Sequence, residues 1–233
     1  MTTRRSVLSA AGALVTTTLT AHAQDACTVL TKAAQSAVTT SQALARLKEG
    51  NARFLTGRTI NCDLREQVKE TAHGQAPFAA ILGCMDSRVP PELVFDQRIG
   101  DIFAVRIAGN FVNSDILGSL EYATKVAGAK LIVVLGHSDC GAVKGAIDDV
   151  KLGHLTAALA HIRPAVLQVS DVAGDRSSKN KKFLQLVADR NAKDGATTLS
   201  ARSDVLEGLV RDGHLEIIPA MHDVSTGAVT WLV

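Results

Sequence analysis

Two short segments of this 233-residue chain concentrate side chains that can do chemistry: Cys84-Met85-Asp86-Ser87-Arg88 and His137-Ser138-Asp139-Cys140. Two thiolates and one imidazole form a borderline-soft donor set that suits zinc, provided the fold brings Cys84, His137 and Cys140 to one point. Three protein ligands leave a fourth position where water can bind and be activated, whereas structural zinc sites close all four with Cys or His. Asp86 follows Cys84 by two residues and Arg88 follows Asp86 by two, so in extended backbone the three side chains share a side. A carboxylate beside the metal raises the pKa of bound water unless a cation balances it. A bidentate pair with Arg88 supplies that balance, keeps Asp86 ionised and leaves an oxygen to accept a hydrogen bond.

Each feature also has a plainer explanation. Free cysteines are often buried as small hydrophobes, His-x-x-Cys alone is a weak signal, and an Asp–Arg pair in a loop is usually a salt bridge of small energy. Position favours the chemical explanation. Each segment stands at the end of a continuous apolar run, residues 78–83 for the first and 131–136 for the second. Runs that are apolar on both faces suit parallel strands, and open α/β sheets carry their sites at the carboxyl ends of strands. Residues 136–141 also have the Gly-x-x-x-x-Gly spacing of a phosphate-binding loop, but Ala142-Val143 stand where Lys and then Ser or Thr are required.

The elements that must position these residues follow from periodicity. Further strands are predicted at 102–107 and 215–218, with a last one at 229–233 beyond the turn Ser225-Thr226-Gly227. Helices are predicted at 41–55, ended by Gly57, and at 64–71, 116–127, 141–152, 155–170 and 203–211; residues 171–182 read as a polar, basic loop. The alternation is that of an α/β fold with a mainly parallel central sheet flanked by helices. No composition shift marks a boundary within residues 24–233, which read as a single domain.

Composition sets outer limits. A 46% hydrophobic fraction can bury a full core, and 21% charged residues argue against a disordered chain. Lys and Arg number 25 against 23 Asp and Glu, with one Trp, one Tyr and six Phe, so neither charge nor stacking surface points to nucleic acid. Arg4-Arg5, a weakly apolar stretch over 9–20 and Ala21-His22-Ala23 read as a twin-arginine export signal over residues 1–23, which places the mature chain in the periplasm. The two arginines account for the whole formal charge of +2, so the mature chain carries none. Gln24-Asp25-Ala26 before Cys27 lacks the apolar residue that lipid attachment wants, and no membrane anchor is expected after cleavage.

The reactive segments resemble the β-class carbonic anhydrases. The resemblance rests on Cys84-Met-Asp-Ser-Arg88-Val-Pro-Pro-Glu92, Gly100-Asp-Ile-Phe-Ala-Val-Arg106-Ile-Ala-Gly-Asn110, Gly118-Ser-Leu-Glu-Tyr122 and Leu135-Gly-His137-Ser-Asp-Cys140-Gly-Ala-Val143, in that order. It implies an N-terminal helical arm embracing a neighbour and a homodimer or multiple of dimers. It further implies Zn²⁺ on Cys84, His137 and Cys140, an Asp86–Arg88 dyad, and Asp86 as a fourth ligand in a closed state only. Gln75, Phe103, Tyr122 and Gly141 resemble pocket residues of the plant-type branch, with Gln75 as a donor to bicarbonate; Ala108 stands where that branch often has a bulkier residue. Pro219-Ala-Met-His222-Asp223 departs from the family's Gly-Ala-Tyr-Tyr-Asp, a change expected to concern packing or an interface.

The implied activity is zinc-dependent, reversible hydration of CO₂ to bicarbonate and a proton. Two alternatives share these residues: a CS₂ or COS hydrolase on the same scaffold, and a periplasmic zinc or thiol-redox protein without turnover. His73, His154, His161, His214 and His222 are all candidates for a proton relay. In an oxidising compartment Cys27 and Cys62 are expected to form a disulfide that ties down the N-terminal arm.

Overall fold

The computed structural model describes residues 28–170 and 172–232. Five strands, β1 (Ala79–Gly83), β2 (Ile102–Arg106), β3 (Leu131–His137), β4 (Glu216–His222) and β5 (Val229–Trp231), form one sheet in the order β2-β1-β3-β4-β5. All neighbours are parallel except the β4–β5 pair, which is antiparallel. The predicted α/β class and the predicted strands are therefore present, and β1 and β3 are neighbours, as the convergence of Cys84 with His137 requires.

Around the sheet lie α1 (Lys32–Ala37), α2 (Thr40–Leu55), α3 (Leu64–Thr71), α4 (Pro91–Val94), α5 (Ser114–Glu121), α6 (Gly141–Ile147), α7 (Gly153–Ala160), α8 (Arg163–Gln168), α9 (Lys181–Arg202) and α10 (Asp204–Arg211). β1 and β3 are buried along their whole length. Ala79, Ile81, Leu131 and Val133 pack on one face with Ala43 and Leu47 of α2, while Ala80, Leu82, Ile132 and Val134 pack on the other with α5, α6, α9 and α10. Burial on both faces is why these strands read as unbroken apolar runs. α2 starts at a Thr39–Gln42 capping box, which satisfies two backbone N–H groups reciprocally.

The structure differs from the sequence reading mainly in its helices. The helix predicted over 155–170 is broken between α7 and α8, because Pro164 sits in the first turn of α8, where its missing N–H costs nothing. The one predicted over 116–127 is α5 continued by a π-helical turn, Tyr122–Val126. α9, the longest helix, lies in a stretch that carries no clear apolar stripe. Its buried positions are Phe183, Leu184, Val187, Ala188, Asn191, Ala192, Gly195, Ala196 and Leu199, a regular helical face whose middle is filled by small and polar residues. Small size is what that face needs, since a Cβ on Gly195 would lie 3.0 Å from Val134 Cγ1 of β3.

Candidate metal centre

Cys84 follows β1 directly, His137 ends β3 and Cys140 is the N-cap residue of α6. Their ligand atoms all lie within 4.8 Å of one another, and the residues are only 5%, 1% and 1% exposed. His137 Nδ1 lies 2.9 Å from the Ser138 carbonyl oxygen, which fixes the hydrogen on Nδ1. His137 Nε2 is then a buried lone pair with no partner. An orphaned buried acceptor facing two buried sulfurs is costly unless a cation fills the space between them, and the donor set fits zinc.

The two thiols titrate as a pair. Cys84 is brought down to about 4, chiefly by a hydrogen bond from Cys140, with the backbone N–H groups of Gly109 and Asp86 assisting against burial. Cys140 is pushed up by that same contact with Cys84 and by burial, although the N–H groups of Val143 and Ala142 oppose the shift. The pair therefore gives up one proton readily and resists losing the second, because two buried thiolates would face each other. A dication between them removes that resistance.

Asp86 stands at the rim of this cluster. Arg88 grips it through Nε on Oδ1 at 2.9 Å, Nη2 on Oδ2 at 2.8 Å and its own backbone N–H on Oδ1 at 3.0 Å. These bonds, led by the guanidinium, hold the Asp86 carboxyl well below the usual carboxylate range. Oδ2 lies 3.9 Å from His137 Nε2, so one carboxylate oxygen faces the cluster. Arg106 at the end of β2 donates to the Cys84 carbonyl at 2.9 Å and to the Asp86 carbonyl at 2.6 Å, pinning the segment between them. Asp139, in left-handed backbone at φ 57°, pairs with Lys144 and lies 3.9 Å from Arg88, which links the two reactive loops.

A profile of the carbonic anhydrase family matches residues 79–229. Carbonic anhydrase 2 of Mycobacterium tuberculosis is 39% identical over 189 residues, spanning 78% of this chain and 87% of that protein. The chain belongs to the β-class carbonic anhydrases. Among solved structures, the β-carbonic anhydrase CcaA superposes with a TM-score of 0.64 at 27% identity, covering 81% of this chain and 86% of that one. The Coccomyxa β-carbonic anhydrase in complex with acetazolamide gives 0.65 at 25% identity, covering 72% of this chain and 77% of that one. In this β-carbonic anhydrase the Cys84–His137–Cys140 cluster is the zinc site of the family.

The remaining predicted residues are distributed unevenly. Gly141 opens α6 beside Cys140. Phe103 and Tyr122 form an edge-to-face pair, 6.2 Å between centroids, beside the outer strand β2. Phe103 pairs with Ala80, four positions before Cys84 along the sheet, and Gln75 is exposed ahead of β1. Of the five histidines considered for a relay, His73, His154, His161 and His214 are exposed. His222 is 3% exposed, in register with His137, with both ring nitrogens buried and unpartnered. Burial first, then His137, lowers its pKa. The departure at Pro219–Asp223 thus stands beside a zinc ligand as well as in the packing. Sequence reasoning overlooked Asn191, whose chemistry is hidden because its partner, the Gly109 carbonyl, is 82 residues away. The role of Arg106 was legible only as part of a motif.

Cys62 is disulfide-bonded. Its expected partner Cys27 and the predicted signal over 1–23 lie outside the described residues. Among those residues no helix is long and apolar enough to cross a membrane.

Proposed function

We propose that this β-carbonic anhydrase works in an open form, in which Asp86 orients the attacking water and does not itself ligate the metal. Cys84 Sγ, Cys140 Sγ and His137 Nε2 would hold Zn²⁺. Zn²⁺ held there would supply a water acidic enough to serve near neutral pH as the hydroxide nucleophile for CO₂. Asp86 Oδ2 takes a single hydrogen bond from Arg88 and keeps a lone pair toward the cluster, so it accepts from the water and aims it. Oδ1, held twice by Arg88, prevents the carboxylate from turning away. The observation that carries this reading is the buried convergence of two thiols and an imidazole, with a clamped carboxylate 3.9 Å from the imidazole Nε2.

We further propose that the substrate side of the pocket is of the plant type and is completed in a homodimer, where Phe103, Tyr122 and Gln75 meet a second copy. The outer edge of β2 has no strand beside it among the described residues, and edges of this kind are usually covered. A solved relative set at 25% identity, from Sordaria macrospora, is described as tetrameric. Export by the twin-arginine route to the periplasm is supported by residues 1–23 alone. A disulfide at Cys62 agrees with that compartment.

The deciding experiment is stopped-flow CO₂ hydration on protein with stoichiometric zinc, run beside COS and CS₂ hydrolysis. Hydration that disappears with Cys140→Ser is expected. Undiminished hydration in that variant would overturn the assignment; faster COS or CS₂ turnover would move it to the related hydrolases, and zinc bound without turnover at any pH would make it a binding protein.

A further inference from the structure

Cys84 receives a hydrogen bond from the Gly109 N–H, 3.3 Å from its sulfur in the buried interior. Gly109 reaches that position through left-handed backbone, φ +81°, and Asn110 after it is also left-handed at φ +42°. Left-handed backbone is costly for most residues other than glycine and asparagine, and two such residues in succession persist only where surroundings hold them. A Cβ on Gly109 would collide with Ile162 Cδ1 and lie 3.1 Å from Ala142 Cβ, so the loop is wedged between α6 and the α7–α8 junction. Glycine itself has no steric preference that would keep its N–H aimed at the sulfur. The peptide after Gly109 is held twice: the Asn110 N–H donates to the Ile107 carbonyl at 3.0 Å, and from α9 Asn191 Nδ2 donates to the Gly109 carbonyl at 2.9 Å, with Asn191 only 6% exposed.

We propose that Asn191 is a positioning residue of the metal centre: by holding the Gly109 carbonyl it keeps the N–H on the other side of the same Cα against Cys84 Sγ. That N–H withdraws charge from the thiolate, and so sets how strongly Cys84 donates to a bound metal ion. α9 thereby acts on the centre through the Gly109 loop. This inference rests on the metal-site reading above. A merely structural Asn191 would satisfy a buried carbonyl and nothing more.

The test uses the full chain loaded with Co²⁺, whose thiolate-to-metal absorption reports charge on sulfur. Asn191→Asp keeps the shape and removes the N–H donor. Asn191→Ala opens into a cavity of about 410 Å³ that Asn191 already lines, so little repacking is demanded. In both variants the absorption band is expected to move to longer wavelength as charge returns to the sulfur, while metal affinity, measured by chelator competition, falls about tenfold because Cys84 is no longer held in place for the ion. Band and affinity identical to wild type in either folded variant, whatever its melting temperature, would overturn the proposal. If neither variant folds, scalar couplings in the ¹¹³Cd-loaded wild-type protein decide. Couplings from Gly109 N–H to cadmium and from the Asn191 amide to the Gly109 carbonyl support the proposal, and absence of either overturns it. A wild-type chain that binds no Co²⁺ at all would instead defeat the metal-site reading itself.

Discussion

Phe103 on the outer strand β2 pairs with Ala80, only four positions before Cys84, yet the metal centre is tied together within one chain whereas the edge at Phe103 is, by the proposal above, completed by a second copy. At the centre every element is tied: His137 to Ser138, Asp86 to Arg88, the Cys84 and Asp86 carbonyls to Arg106, and Gly109 to Asn191. At the edge, Tyr122 is 53% exposed against Phe103, and Ala104 is exposed on a strand with a neighbour on one side only among the described residues. The difference separates two tasks. Holding a metal needs fixed donors, which buried hydrogen bonds provide, whereas a wall for a small apolar substrate needs only dry surface, which a second copy can supply.

That contrast can be broken from either side. The largest effect is expected from Asp86→Asn, which keeps nearly the same shape and the zinc but loses the anionic acceptor. CO₂ hydration should fall about 10- to 100-fold with zinc content unchanged by metal analysis, a magnitude usual for groups just beyond the metal ligands. Zinc lost in parallel would mean that Asp86 holds the metal more than it orients water.

Phe103→Asp probes the edge. A charge in the middle of a dry interface should cost at least about 2 kcal/mol, roughly 30-fold in dimer dissociation constant by analytical ultracentrifugation. Zinc content should stay whole, since Phe103 lies opposite Ala80, four positions before Cys84 along β1, and supplies no metal-ligating atom. A variant that remains dimeric would place the interface elsewhere.

Arg88→Gln should give the smallest change, and mainly at low pH. Arg88 lowers the folded Asp86 pKa, so the stabilising contribution of the pair is complete above the unfolded carboxylate value of about 3.9 and is lost only as pH falls through the lower folded one. Without the guanidinium the folded value rises, and the acid limbs of both activity and thermal stability should move to higher pH. Limbs that coincide with wild type would show that Arg88 does not set the ionisation of Asp86.

Much of this site was legible before folding because its signals are local. Cys84, Asp86 and Arg88 share one segment, and His137 and Cys140 another, each announced by an apolar run that had to be a strand. β1 and β3 were equally plain, since burial on both faces leaves no polar residue within them before His137 to obscure them. The helices were less so. α9 hides its buried face behind Ala188, Asn191, Ala192 and Gly195, because close approach to β3 selects small residues over apolar ones. His222 read as one histidine among several until register with His137 set it beside the centre.

By itself the sequence determined which donors this protein has, that they leave strands at their carboxyl ends, and that a carboxylate and a guanidinium travel with them. These are properties of residue type and short spacing, which the chain carries into any fold. Only the tertiary structure decided that β1 lies beside β3, that Arg106 and Asn191 reach back across 22 and 82 residues to fix the loops around Cys84, and that the edge of β2 is left open. Those depend on strand order and on one side chain meeting a distant backbone group. No local pattern encodes such meetings, because the partners become neighbours only when the sheet and its helices pack.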